Sequence, residues 1–203
     1  MADLKQRRMI ILKAAGEVFK ERGFDRSRTI DVARKANMSK RDLYAVFPSK
    51  EALLSALIHD GAAKMANPLK LAHPVTRAEF YAILEKFGSE FLVKQFSPPR
   101  LTMLRLMIAR TSENSDLQND ADASIRENIA SATTALFTSA QKAGLVRFAS
   151  AERVAQAFLL VLQGDLLMRA LLNATFTLGD VALSVRVANA IEVVAALEAA
   201  AVA

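Results

Sequence analysis

Apolar residues recur every three to four positions along nearly the whole 203-residue chain, the spacing of helices that each bury one face. Between residues 5 and 22, Ile11, Leu12, Ala15, Val18 and Phe19 form one stripe, while Lys13, Glu17, Lys20 and Glu21 turn outward. Gly23 is a natural stop for this helix, and Phe24 can fold back on its last turn. A second helix is expected from Ser27 or Thr29 to Ala36, with Val32, Ala33 and Ala36 inward. Asn37 follows, and asparagine tolerates a left-handed backbone better than other non-glycine residues, so a tight turn is expected there. Ser39 then caps a third helix, with Asp42 three residues on as an abbreviated capping box. Pro48 disfavours helical backbone in the residue before it, which ends this helix by Phe47. Ser49 caps a fourth helix, whose apolar positions Leu53, Leu54, Leu57 and Ile58 run on to Met65 before Asn67 and Pro68 stop it.

The first three helices are short, and the second and third are joined by a tight turn. That is a helix-turn-helix pattern. Beyond it, Thr76 and Glu79 offer a capping box, followed by Phe80, Ile83, Leu84, Phe87 and Phe91 on one stripe. Ser97, Pro98 and Pro99 break the chain before a helix carrying Leu101, Leu104 and Ile108. The polar stretch "TSENSDLQNDADAS" leads into a helix expected at 124–142 and closed by Gly144, and two long apolar helices follow at 151–172 and 180–201. No strand pattern competes. The expectation is an all-α protein of about nine helices, with a three-helix domain at 1–48 and a helical body at 49–203.

The charge distribution sharpens this picture. Residues 1–50 carry 13 Lys+Arg against 6 Asp+Glu, whereas residues 51–203 carry 14 against 15. All of the excess positive charge lies in the first quarter of the chain. A solvated basic face would look the same by charge alone, but a surface that neutralises phosphates also has this signature. The chain has no cysteine, so disulfides and thiolate metal sites are excluded. The opening residues lack the apolar core of a signal peptide. No uncharged run approaches the roughly 20 apolar residues of a membrane span. A cytoplasmic protein with no membrane partner is expected.

In a helix-turn-helix the second helix presents its N-terminal residues to base edges in the major groove. Here Leu43, Val46 and Phe47 fall on one side to pack inward, leaving Lys40, Arg41, Tyr44 and Ala45 on the other. Lys40 or Arg41 can donate to guanine, and Tyr44 can reach a phosphate. Thr29, Ser39 and Lys50 are placed to fix the register on the backbone.

These residues carry a resemblance. "IL-AA--VF-ERGF" in the first helix, "V-ARKANMS" across the turn and "LY--FPSKEALL" after it resemble the DNA-binding domain of the TetR family of bacterial transcriptional regulators. The resemblance implies an all-helical homodimer with an N-terminal reader and a C-terminal ligand-binding domain, usually a repressor. By position it adds Arg28 to Thr29, Ser39, Lys40, Arg41, Tyr44 and Lys50 as DNA contacts. Asn37 stands where the family usually has glycine, and Ala45 and Val46 where it often has aromatic or histidine residues. In the second half, "RLMIAR" and "AERVAQAFLLVLQGDLLMRALL" resemble regulators with an AefR-like C-terminal domain.

Two subunits reading two half-sites need a two-fold interface. The last two helices are the candidates, with Phe158, Val161, Leu162 and Leu166 on one stripe and Val181, Val185, Ala188 and Ile191 on the other. Phe87, Phe91, Met103, Met107 and Phe137 are candidates to line an effector cavity, with Arg110, Asn128 and Gln163 to orient its occupant. Methionine and phenylalanine at helical spacing form plain core more often than a ligand box. The scarcity of charge among them suggests a small apolar effector. No cofactor or metal is expected, since His59 and His73 are the only histidines and lie apart. The same two histidines give an enzyme little to work with. The remaining alternative is an architectural or cell-division factor that uses the fold to bind DNA without an effector.

Overall fold

The computed structural model describes the backbone of residues 2–109, 115–173 and 175–201, with side chains except at 2, 107, 109, 115–126, 180 and 181. Ten α-helices and no strand occur among the described residues: α1 (Ala2–Arg22), α2 (Thr29–Lys35), α3 (Lys40–Val46), α4 (Lys50–Lys70), α5 (Arg77–Gln95), α6 (Pro98–Ala109), α7 (Ser115–Lys142), α8 (Ala151–Gln163), α9 (Leu166–Leu172) and α10 (Asp180–Ala200). They divide into two compact units, residues 1–62 with 106–125, and residues 63–105 with 126–203.

The first unit is built around α1, α2 and α3, which pack on one another. Its core is the expected stripe: Ile11, Ala15, Val18, Val32, Ala33, Leu43 and Phe47 are all buried. Gly23 takes a φ of 75° and ends α1, and Phe24 returns to meet Phe19 edge-to-face at 5.1 Å. Asn37 is left-handed, with a φ of 57°. It is the turn between the two helices of the motif.

The second unit is held by α5, α8 and α10, which pack mutually. At Gly88 of α5, an added Cβ would lie 3.2 Å from Leu162 and 3.4 Å from Val187, so the three helices meet closely there. The Thr76 hydroxyl accepts from the Glu79 backbone N–H at 3.1 Å, while the Glu79 carboxylate accepts from the Val75 N–H at 2.8 Å. At the far end of the same contact, Glu198 of α10 receives Arg77 through Nη2 at 2.9 Å and the Tyr81 hydroxyl at 2.5 Å. Burial opposes the charge on Glu198, but these donors outweigh it and hold the carboxyl below its ordinary range. Burial, followed by the bond to Glu198, pushes the Tyr81 phenol up.

Three boundaries differ from the expectation. The stretch 151–172 is not one helix: Gly164 leaves helical geometry at φ 46° and ψ −136°, and Arg186 of α10 fills the break. Its Nη2 donates to Asp165 at 2.9 Å, and a Cβ on Gly164 would lie 2.3 Å from its Nη1. By length and hydropathy that stretch could cross a membrane, but α8 has 13 residues and α9 has 7, each short of the roughly 20 a span needs. Next, α4 continues through Pro68 to Lys70. A proline in the last turn removes one hydrogen bond without ending the helix. Finally, α7 begins at Ser115 rather than near 124, because the polar stretch is helical without the apolar stripe on which the prediction relied.

Candidate nucleic-acid interface

The turn and caps determine which side chains α3 can show. The Ser39 hydroxyl accepts from the Asp42 backbone N–H at 3.1 Å and donates to the Asp42 carboxylate at 2.6 Å. That hydrogen bond from Ser39 holds the Asp42 carboxyl below its ordinary range, with Arg7 and Arg41 adding to it. Leu43 and Phe47 anchor the inner face. Lys40, Arg41, Tyr44 and Ala45 are left exposed.

At the start of α2, the structure has a feature that sequence reasoning missed. Asp31 is buried yet charged: it accepts from the Arg28 backbone N–H at 3.3 Å and faces Arg22 at 3.4 Å and the Arg28 side chain at 3.5 Å. Burial opposes its ionisation, but these groups outweigh burial and keep its carboxyl below the usual range. An acidic residue three positions into a helix was the available signal. On the other side of α2, Lys35 reaches Glu21 and Glu17 of α1. Together these pairs fix how α2 lies on α1, and hence where Thr29 points.

The predicted contact residues do not all gather in one place. The hydroxyls of Thr29 and Tyr44 lie 2.9 Å apart, joining the first turn of α2 to the outer face of α3. Lys40 stands over the Tyr44 ring at 5.5 Å. Arg28 is exposed next to Thr29, and Arg41 next to Lys40. Thr29, Tyr44 and Lys40 make one polar, basic surface. Lys50 instead stands over the Phe24 ring at 4.2 Å, within 3.4 Å of the Asp25 carbonyl, and so ties α4 to the loop before α2. The Ser39 hydroxyl is occupied in capping.

In the second unit, Phe87, Phe91 and Phe137 are buried and make ring contacts at centroid distances of 5.1–6.4 Å: Phe91 with Phe87, Phe87 with Phe158, and Phe137 with Phe80, Phe148 and Phe158. These rings pack on one another in the core of the body. Met103 and Gln163 are half-buried, and Asn128 accepts from Lys70 at 3.2 Å. The side chains of Met107 and Arg110 lie outside the described residues. An open groove of about 600 Å³ runs along α7 and α8, lined by Ser131, Thr134, Ala135, Thr138 and Gln156 among others.

The residues expected at a dimer interface are similarly divided. Phe158, Leu162 and Leu166 are buried within their own chain; α8, which carries the first two, packs on α5 and α10. Val161 and Ile191 are half-buried, Ala188 is exposed, and Val185 is 52% exposed. The Val181 side chain lies outside the described residues. Leu160 on α8 is 72% exposed.

The geometry agrees with what comparison finds. The family model of the bacterial regulatory proteins of the TetR family matches residues 11–57, and that of the AefR-like transcriptional repressor C-terminal domain matches residues 82–197. The chain belongs to the TetR family of transcriptional regulators. Its fold and family are those of DNA-binding regulators and not of enzymes. A TetR regulator from Agrobacterium tumefaciens is 26% identical, with a TM-score of 0.75, over 94% of this chain and 93% of that one. A TetR-family regulator from Mesorhizobium loti is 18% identical with the same TM-score, over 95% and 96%. The flavonoid-responsive regulator FrrA has the fold at 23% identity and a TM-score of 0.67, over 94% and 95%. Among curated proteins, none matches this TetR-family chain.

Proposed function

We propose that this regulator is a ligand-responsive repressor that binds operator DNA as a homodimer and releases it when a small effector binds the helical body. The observation that carries the reading is the polar surface made by Thr29, Tyr44 and Lys40 beside Arg28 and Arg41. On a capped helix that follows a left-handed turn, it presents donors to base edges and phosphates at once. The reading domain comprises 1–48, and the body comprises 49–203.

Exposed Leu160 and Val185, with Ala188 nearby in sequence, supply apolar surface on α8 and α10 for a second copy. Effector and operator then oppose each other through a coupling of about 1–3 kcal/mol, each weakening the other equally. The aromatic core of the body favours an apolar effector, admitted by rearrangement of the packed rings.

The test is the stoichiometry of the purified chain on a 40-base-pair duplex selected from a random library. Two chains per duplex on two half-sites about one helical turn apart are expected. Continuous coating of the duplex without a preferred site would support the architectural alternative and overturn the repressor reading.

A further inference from the structure

Arg100 lies in the first turn of α6, behind Pro98 and Pro99. Among the described residues its guanidinium makes one hydrogen bond, from Nε to the Gln95 side-chain oxygen at 2.9 Å. Its Nη2 is buried without a hydrogen-bond partner. Gln95 is itself buried, so it holds the guanidinium from a fixed place in the core of the body.

The surroundings oppose this charge. Burial lowers the Arg100 pKa, and no carboxylate among the described residues acts to restore it. The first turn of a helix favours an anion and disfavours a cation. Other arginines of the body are provided for. Arg77 meets Glu198, while Arg169 and Arg186 meet Asp165. Arg105, also on α6, donates to the carbonyls of Ala170, Leu171 and Asn173. Arg147 and Arg153 are exposed to water. Among the described residues, Arg100 alone keeps a buried side-chain donor without a partner.

Its shape says what would satisfy it. With Nε on Gln95, the Nη1–Nη2 end of the planar fork is left, and that end matches the two oxygens of a carboxylate. The prolines before it carry no N–H, so the guanidinium is the donor that this end of α6 offers. One guanidinium balances one negative charge, which fits a carboxylate better than a phosphate dianion. Arg100 as a whole is half-buried, so an acid reaches it from the surface of the body, and a small swing of the side chain brings Nη2 to it.

We infer that Arg100 binds the carboxylate of the effector, which is therefore an organic acid with one charged end and an apolar body. The inference rests on the reading of the helical body as an effector-binding domain. Phe96, which follows Gln95 and meets the Phe176 ring at 5.7 Å, supplies apolar surface for the rest of the molecule. The acid satisfies a donor that the fold leaves bare, and removal of that cost adds to its affinity.

The experiment titrates octanoate, decanoate and phenylbutyrate into the full chain by calorimetry. Each is set beside its methyl ester, which keeps the apolar body and removes the charge. Wild type is compared with Arg100→Gln, which removes the cation, and with Arg100→Lys, which keeps the charge but not the fork. Circular dichroism checks that both variants keep their helices. At least one acid should bind wild type, about tenfold or more tighter than its ester. Arg100→Gln should weaken that acid by a similar factor, and Arg100→Lys by less. The acid should raise the melting temperature of wild type and not of Arg100→Gln. Equal binding of acids and esters overturns the inference, as does acid binding that Arg100→Gln leaves unchanged, or no binding of any of the three acids. Failure of the effector reading is seen separately, when an acid binds through Arg100 but leaves the affinity for the selected duplex unaltered.

Discussion

The hydroxyl of Thr29 lies 2.9 Å from the hydroxyl of Tyr44, across 15 residues of sequence. This bond couples the first turn of α2 to the face of α3 that is left bare, so the two helices offer their polar groups as one surface. Tyr44→Phe deletes the bond but keeps the ring under Lys40. The expected loss in affinity for the selected duplex is about three- to tenfold, in line with about 0.5–1.5 kcal/mol for such a bond. Adding Thr29→Val should lower affinity by less than the product of the single effects, which a double-mutant cycle measures.

Gly164 is required twice over, by its backbone and by its neighbour. Its φ of 46° with ψ of −136° suits glycine alone, and Arg186 occupies the space a Cβ needs. Gly164→Ala should destabilise the protein by about 2–3 kcal/mol, from backbone strain together with displacement of Arg186. Denaturant midpoints measure it. Arg186→Ala in the same background should recover part of the loss, because the clash goes and the strain stays.

Glu198 gives the pH dependence a definite sign. Its folded-state pKa lies below the ordinary 4.5, so it adds stability that is fully present above pH 4.5. That stability fades as pH falls through the lower folded value. Glu198→Gln should lose about 1–2 kcal/mol at pH 7, a modest figure because Arg77 remains largely in water. The gap between variant and wild type should narrow below pH 4, as followed by thermal melts.

Arg100 carries a cost in the opposite direction. Its Nε donates to Gln95 at 2.9 Å, but its Nη2 is buried without a hydrogen-bond partner, and burial lowers its pKa. An unsatisfied buried donor costs about 1–3 kcal/mol. Arg100→Met removes that donor but strands the buried Gln95 carbonyl, so the melting temperature should rise, by about 2–6 °C, only when Gln95→Leu is made with it.

The reading unit was legible in the sequence because each of its signals is local. Gly23, Asn37, Ser39, Pro48 and Ser49 act on their own backbone or within one turn, and the helices begin and end where those residues dictate. The body was less legible. A stripe such as Phe158, Leu162 and Leu166 says that a face is buried, but not whether its own chain or a second copy buries it. The break at Gly164 depends on Arg186, 22 positions away, and the burial of Asp31 depends on Arg22 across a loop. Such pairings arise from packing, and periodicity does not record them.

The central claim, that α3 reads sequence in duplex DNA, is tested most directly by one comparison at 150 mM salt. Binding of the full chain to the selected duplex is measured against a random duplex of equal length, for wild type and Arg41→Ala. The account predicts at least about a thousandfold preference for the selected duplex. It also predicts that Arg41→Ala relaxes preference at one base position by about 1–3 kcal/mol. Equal affinity for the two duplexes, or an unchanged preference in the variant, would contradict it.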